Sequence, residues 1–285
     1  MKFGLIGPGH MAATWEQHLR RITGVHEVII ATDIDALDVV DGCILLDEPD
    51  ASRPVNPVLP DALKKGYHIL RIGPVPTQEE IVKHLEKTAL EAGCILMFSM
   101  WAHYAPSTRF LFNHVRPPKK IHIHREWPGP AFTPDPMTLY RIILEEISLC
   151  LEWSHSRPVA INGLHSLDYY LNAPEYAMHH IQVLFENDAS ATLFINPFGL
   201  EDRQSRFVTG EKMAAVYHIN HQVVKKWLFG PQKQSHIPEV LHFENKEPAQ
   251  NLLSHFIRSV RTGSKPLFGI EELCRLISAV QRFSQ

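Results

Sequence analysis

Three things are scarce in this sequence, and each scarcity closes off a class of protein. Cysteine comes first: Cys43, Cys94, Cys150 and Cys274 are the four in 285 residues, and no two form a C-x-x-C pair. That spacing argues against a disulfide framework or a cysteine zinc site. Cys43, Cys94 and Cys150 sit in apolar runs and read as buried thiols. Basic surplus is also missing. Lys and Arg total 28 against 31 Asp and Glu, for a net charge of −3, so the chain carries no electrostatic footprint for nucleic acid. The pairs Lys64-Lys65, Lys119-Lys120 and Lys225-Lys226 read as solvated surface. Long apolar runs are absent as well. None reaches the ~20 residues of a membrane span, and Gly7 and Pro8 interrupt the first apolar run too early for a signal peptide. The expectation is a cytoplasmic protein with no membrane and no nucleic-acid partner.

What is present points to a small-molecule protein. An apolar fraction of 45% and a charged fraction of 21% suit a globular chain, and its length suits two domains at about 100–200 residues each. The first twelve residues carry the strongest signal. The apolar run Phe3 to Ile6 leads into Gly7-x-Gly9-x-x-Ala12, and a helical pattern follows through Trp15, Leu19 and Ile22. Strand, glycine turn and helix in that order form the context of a dinucleotide fingerprint. Gly7 permits the tight turn, Gly9 lets the backbone approach a pyrophosphate, and Ala12 lets helix and strand pack closely. The N–H groups at the helix start, around Gly9, His10 and Met11, face the phosphates with a partial positive charge. Asp33 lies 21 positions beyond Ala12, at the end of Val28-Ile29-Ile30-Ala31. An acidic residue there accepts from an adenosine ribose and repels a 2′-phosphate, which favours NAD over NADP. Without function, the same stretch is an ordinary strand–turn–helix with an incidental Asp.

Strand and helix patterns alternate through the first third. His26–Thr32, Gly42–Leu46, Tyr67–Arg71 and Cys94–Phe98 read as strands; 60–65 and a longer stretch opening with the capping-box pattern Thr77 to Glu80 read as helices. This predicts an α/β domain, a Rossmann-type doubly wound parallel sheet over residues 1–115. The pattern then changes. Ile121–Arg125, Val159–Leu164, His180–Glu186, Ala191–Asn196, Arg206–Thr209 and Ala214–Ile219 read as strands around one main helix, Met137–Trp153. Asn187-Asp188 reads as a hairpin turn. Residues 116–285 therefore read as an α+β domain with a mainly antiparallel sheet and C-terminal helices at 249–261 and 270–283. That sheet is a candidate surface for a homo-oligomer.

The order of elements resembles the glucose–fructose oxidoreductase, inositol dehydrogenase and rhizopine-catabolism family over most of the chain. Besides Gly7–Ala12, the resemblance rests on three segments. Lys64-Lys65-Gly66-Tyr67-His68-Ile69-Leu70 is similar to the helix end and strand before the family's catalytic Lys. Residues 183–192 resemble its substrate-domain hairpin, and Leu253 to Phe268 its closing helix and turn. The resemblance implies NAD- or NADP-linked oxidoreduction of a sugar, polyol or related hydroxylated compound. It also implies departures. Where the family has Glu-Lys-Pro, this chain has Ile72-Gly73-Pro74, so Gly73 stands at the Lys position. The segment Leu144 to Trp153 has no His where the family carries Asp and His, Trp101-Ala102-His103-Tyr104 replaces Asn-x-Arg-Phe, and the stretch from Asp33 to Gly42 is short.

Two residues are candidates for the missing proton-transfer group. His103 follows the last strand of the first domain, and an imidazole there could pass a substrate proton. Glu146 lies mid-helix, facing the expected cleft. Read as structure alone, His103 is a polar residue at a helix start and Glu146 part of a solvated face. Arg71, beside Gly73, offers charge from an adjacent strand position. His122 and His124 share one face of a strand, and His165, Asp168, His179 and His180 form a second histidine-rich group; neither spacing specifies a metal, and none is expected. Trp101 and Trp127 could stack on a ring of substrate or cofactor, or simply pack. Two readings of function follow: an oxidoreductase with a relocated acid–base group, or a non-catalytic cofactor- or metabolite-binding regulator.

Overall fold

A computed structural model describes residues 1–37, 39–47, 58–129, 132–166, 178–229, 237–243 and 248–283. The chain opens with β1 (Lys2–Ile6), α1 (Gly9–Arg20), β2 (Glu27–Ala31), β3 (Gly42–Leu46), α2 (Val58–Lys64), β4 (Ile69–Ile72), α3 (Glu79–Glu91) and β5 (Leu96–Phe98), then a 3-10 turn (Trp101–Tyr104). It continues with α4 (Pro106–His114), β6 (Pro118–Glu126), α5 (Pro136–Ser154), β7 (Pro158–Ser166), β8 (Met178–Phe185), β9 (Ser190–Asn196), β10 (Arg203–Gly210), β11 (Met213–His218), β12 (Val223–Leu228) and β13 (Glu239–His242). Helices α6 (Pro248–Thr262) and α7 (Ile270–Phe283) close it.

The chain divides into two compact units: Met1–Tyr104 with Lys246–Ser278, and Ala105–Asn245 with Ala279–Gln285. This differs from a single boundary near 115. The C-terminal helices return to the first unit because α6 packs on α1 and on the 3-10 turn. There Phe3 meets Phe256, and the Tyr104 hydroxyl donates to the Phe268 carbonyl at 3.1 Å.

Unit 1 is a parallel five-stranded sheet in the order β2-β1-β3-β4-β5. β3, Gly-Cys-Ile-Leu-Leu, is buried throughout, as a central strand covered on both faces must be. Helix α1 buries Ala12, Trp15 and Leu19, one stripe at helical spacing; α3 does the same with Val82, Leu85 and Ala89. Its N-cap is Gln78, with no capping side-chain bond, so the helix starts one residue too late for a Thr77–Glu80 box. Among the described residues no helix lies between β2 and β3; the Asp33 side chain instead tightens residues 33–36 by accepting from the N–H groups of Asp35 and Ala36, both at 2.9 Å.

Unit 2 is an eight-stranded sheet, β13-β12-β11-β10-β6-β9-β8-β7, antiparallel except for the β6–β9 pair. The hairpin at Asn187-Asp188 joins β8 to β9, with Asp188 at φ +61°. One sheet face is apolar, with Ile121, Ile123, Leu193, Ile195 and Val208 buried. Helix α5 covers it with Leu139, Ile143, Ile147, Cys150 and Trp153. Asp135 caps α5, accepting from the Thr138 N–H at 3.0 Å. No helix among the described residues is long and apolar enough to cross a membrane.

Candidate functional site

In unit 1 the strand registers bring the sequence candidates to one edge. Ile6 lies opposite Ala31 and Leu45, and Leu46 opposite Ile72. The residues just beyond (Gly7, Asp33, Asp47, Gly73) therefore line the C-terminal edge of the parallel sheet, where open α/β sheets hold their ligands. Gly7 has φ +150°, and a Cβ there would lie 2.5 Å from both Cβ and the carbonyl oxygen of Leu46. Only glycine fits. Gly9, exposed at the start of α1, is the opposite case: a Cβ there would meet nothing within 4 Å among the described residues. The turn thus needs Gly7 for its own fold and leaves the surface over Gly9 open. The first intrahelical bond runs from the Ala12 N–H to the Pro8 carbonyl at 2.9 Å. The N–H groups of Gly9, His10 and Met11 precede it, ahead of the first i−4 bond of the helix. The first turn holds no acidic residue, and the N-cap, Pro8, offers no side-chain bond. Asp33 stays exposed at the tip of β2; its Oδ1 serves the local turn, and a carboxylate carries a second acceptor oxygen.

Further along the same edge, Arg71 and Asp47 form a buried ion pair. The Arg71 Nε donates to Asp47 Oδ2 at 2.6 Å, with the side chains 1% and 12% exposed. Arg71 therefore spends its charge inside the unit. Gly73 has φ +146°, and a Cβ there would stand 2.8 Å from Asp47 Cβ and 3.0 Å from the Asp47 carbonyl. Its N–H donates to Ser99 Oγ at 3.3 Å. The position where the family resemblance expects Lys is built for glycine.

His103 departs from the sequence expectation. It is 1% exposed, inside the 3-10 turn, with its ring centroid 4.8 Å from that of Phe268. A proton carrier must touch its substrate, and this ring is enclosed by the C-terminal segment. Trp101, likewise, packs at 6.0 Å from Trp15.

In unit 2, Glu146 also differs from a solvated or catalytic carboxylate. It is fully buried on α5 between two arginines. Arg206 on β10 grips it in a two-pronged fork, Nε to Oε2 at 2.8 Å and Nη2 to Oε1 at 2.6 Å. Arg125 on β6 donates Nε to Oε1 at 2.9 Å, and its Nη2 reaches the same oxygen. Arg206 Nη1 donates to Thr108 Oγ1 at 3.1 Å and Arg125 Nη1 to Gln204 Oε1 at 2.9 Å. Burial pushes the Glu146 carboxyl up, but the two guanidinium charges and their hydrogen bonds outweigh it and pull it down to about 2. Such a group stays ionised at neutral pH and is poorly matched to proton transfer. One turn earlier on α5, Arg141 and Glu145 form a second pair at 3.6 Å.

The remaining candidates scatter. His124 Nε2 donates to Glu126 Oε2 at 2.9 Å, both side chains part-buried, and His122 lies against Phe207. Among the described residues no group of three His, Cys, Asp or Glu could hold a metal ion; Asp168 and the His165 side chain lie outside them. All four thiols are free. Burial raises Cys43 to about 12, as expected for a buried thiol, while Cys94 is only partly covered. Sequence reading missed Arg125, Arg206 and Arg141. The available signal was a charged residue at an inward position of an otherwise apolar strand face: Arg125 after Ile121 and Ile123, and Arg206 before Val208.

No protein-family model matches the chain, and no curated protein matches it by sequence. Solved structures do match. UDP-N-acetylglucosamine 3-dehydrogenase GnnA from Acidithiobacillus ferrooxidans superposes with a TM-score of 0.82 at 16% identity, over 99% of this chain and 96% of that one. Aldose-aldose oxidoreductase from Caulobacter crescentus, complexed with glycerol, gives 0.69 at 17% identity over 98% and 87%. GenD2 from gentamicin A biosynthesis, in complex with NAD, gives 0.73 at 14% over 99% and 92%. At these identities the likeness is one of architecture, a five-stranded parallel sheet followed by a mainly antiparallel one. The chain has the fold of the glucose–fructose oxidoreductase, inositol dehydrogenase and rhizopine-catabolism type.

Proposed function

We propose that the protein binds a nicotinamide dinucleotide on unit 1 and acts as an NAD-linked oxidoreductase on a sugar, polyol or related hydroxylated compound. The observation that carries this reading is the contrast between Gly7 and Gly9. A Cβ at Gly7 collides with the sheet, while the surface over Gly9 is open beside the first turn of α1, whose N-cap residue makes no side-chain bond. Gly7 shapes the turn. The N–H groups of Gly9, His10 and Met11 hold the pyrophosphate, and Ala12, buried on α1, keeps helix and strand in close contact. Asp33 holds the adenosine ribose through the oxygen its local turn leaves over, and its charge selects against a 2′-phosphate. The cofactor, when bound, supplies hydride acceptance or donation at the nicotinamide ring. Glu146 orients Arg125 and Arg206 and carries no proton. A homo-oligomer through the exposed face of the unit 2 sheet completes the proposal.

A second reading has its own support. Gly73 has no side chain, His103 is enclosed and Glu146 is locked in ion pairs. Those three facts favour a regulator that binds cofactor or metabolite without turnover. One experiment separates the two. The purified protein is titrated with NAD, NADH, NADP and NADPH by calorimetry, and the tightest cofactor is then used in a turnover screen across sugars, polyols and their acids. Micromolar NAD binding with turnover supports the oxidoreductase. Binding without turnover supports a cofactor-binding regulator, and no binding at millimolar concentration defeats the oxidoreductase and leaves the metabolite-binding regulator.

A further inference from the structure

Three neighbouring strands at one edge of the unit 2 sheet gather basic groups around an open recess. The strand register sets the arrangement. His218 on β11, Val223 on β12 and His242 on β13 stand in one row across the sheet; Val216, Lys225 and Val240 stand in the next. Rows two residues apart share a face, and Val224, buried between them, points to the other side. His221, in the turn between β11 and β12, adds a third imidazole. Together His218, His221, Val223, Lys225, Val240 and His242 line a cavity of about 450 Å³, within the roughly 300–1,000 Å³ of small-molecule sites. It is reachable from solvent: His221, Val240 and His242 are exposed, and His218, Val223 and Lys225 half-buried.

No carboxylate lines this recess among the described residues. The adjacent lysine shows the contrast. Lys226 faces the opposite side of the strand and pairs with Glu239 at 3.0 Å. Lys225 has neither a hydrogen bond nor an ion pair among the described residues. Burial lowers the His218 imidazole from its ordinary value, and the charges of Lys225, His221 and Arg203, the last from β10, lower it further. Like charges set side by side on one sheet face are destabilising. A bound anion would relieve that repulsion, and Val223 and Val240 offer apolar surface beside it to the body of an organic ligand.

We propose that the recess on β11–β13 binds a small phosphomonoester, with Lys225 and the three imidazoles holding the phosphate and Val223 and Val240 carrying the organic body. His218 and His242 flank Val223 with their Cα atoms about 10 Å apart, two strand spacings. Four donor groups around one space suit a phosphate, with its double charge and several acceptor oxygens, better than a single planar carboxylate. The ammonium supplies a point charge and the imidazole N–H groups directed bonds. The site lies wholly within unit 2. It goes beyond the proposed function and does not rest on the dinucleotide turn.

The test is calorimetric titration of the whole protein with phenyl phosphate and glucose 6-phosphate, and with inorganic phosphate, gluconate and glucose as controls. At least one of the two esters should bind tenfold or more tightly than every control. Lys225→Gln should weaken it at least about tenfold, as loss of one charge-assisted contact does. His242→Gln should weaken it as well. Lys226→Gln, one residue away on the opposite face, should leave it unchanged. Thermal melting checks each variant; if Lys225→Gln is destabilised, Lys225→Arg, which keeps the charge, should retain binding. No ester binding at millimolar concentration, equal losses in Lys225→Gln and Lys226→Gln, or inorganic phosphate or gluconate binding as tightly as the better ester overturns the inference. Ester binding that NAD displaces and Lys225→Gln leaves intact belongs to the glycine turn and overturns it too. Lys225-dependent ester binding in a protein that does not bind NAD would support the recess and sink the dinucleotide reading alone.

Discussion

Replacing Glu146 by Gln separates a structural carboxylate from a catalytic one. The amide keeps the shape but not the charge, so it leaves Arg125 and Arg206 close together and uncompensated. Removing one partner of a buried ion pair costs about 3–5 kcal/mol; at ~2–4 °C per kcal/mol for a unit of this size, the melting temperature falls by on the order of 10 °C. The wild-type pH profile checks the same number. The carboxyl of Glu146 is pulled down to about 2 when folded, against an ordinary value of 4.5. A folded value below the unfolded one contributes stability that is complete above about pH 4.5 and is lost as pH falls toward 2. That shift corresponds to about 3 kcal/mol. The assay is urea unfolding between pH 7 and 2.5, followed by circular dichroism and by the fluorescence of Trp153, buried on the same helix and stacked 4.8 Å from Phe112. Wild type should lose stability steeply across the acid window, whereas Glu146→Gln starts lower and loses less. Arg125→Met, Glu146→Leu and Arg206→Met combined should recover most of the loss, since apolar replacements of a buried triad are often neutral. A glutamine variant within ~0.5 kcal/mol of wild type that loses only turnover would refute the reasoning.

Gly7→Ala should cost more than about 2 kcal/mol by chemical denaturation, from positive φ and the contact with Leu46; Gly9→Ala should stay within ~0.5 kcal/mol of wild type yet weaken NAD at least tenfold, because its methyl enters the open surface. Gly73→Lys should lower stability by about 1–3 kcal/mol and create no dehydrogenase, since φ +146° and the Asp47 backbone disfavour any side chain there; a gain of turnover across a sugar panel would count against that view. Asp33→Ser should shift preference toward NADP by about tenfold in titration, the hydroxyl still serving the 33–36 turn; unchanged selectivity removes Asp33 from the ribose.

The alternation of elements was legible because it is written locally. Phe3 to Ile6, the glycine turn and the stripe Ala12, Trp15, Leu19 are all neighbours in sequence, and the antiparallel strands announce themselves by period-two burial, as in Ser190–Asn196. Strands β12 and β13 were not legible. Val-Val-Lys-Lys-Trp-Leu has no clean alternation, and its lysine pair reads as surface; pairing with β11 makes it a strand. Helix α4 was also missed, a short element with Pro106 in its first turn. The candidate site divides the same way. Gly7, Gly9 and Asp33 carry a spacing signature. The partners of Glu146 do not: Arg125 and Arg206 come from two strands whose register alone brings them to one helix. His103 was readable as a position but not as an interior one, because Phe268, which covers it, arrives from the far end of the chain.

That late arrival has a bearing on biosynthesis. Unit 1 is interrupted by the stretch Ala105–Asn245 of unit 2, and its closing pieces come late: Phe256 against Phe3, Gln250 against the His18 carbonyl, Gly269 beside Met97, and Ser278 against Glu79. In a chain made from its N-terminus, the first sheet therefore forms with α1 and α3 before the segment that meets Phe3, His18 and Met97 exists. The continuous stretch from Ala105 to Asn245 is finished before unit 1 can be. A chain stopped ahead of residue 248 lacks the residues that meet Phe3, His18, Met97 and Glu79, so unit 1 has its last contacts to make only after most of unit 2 is synthesised.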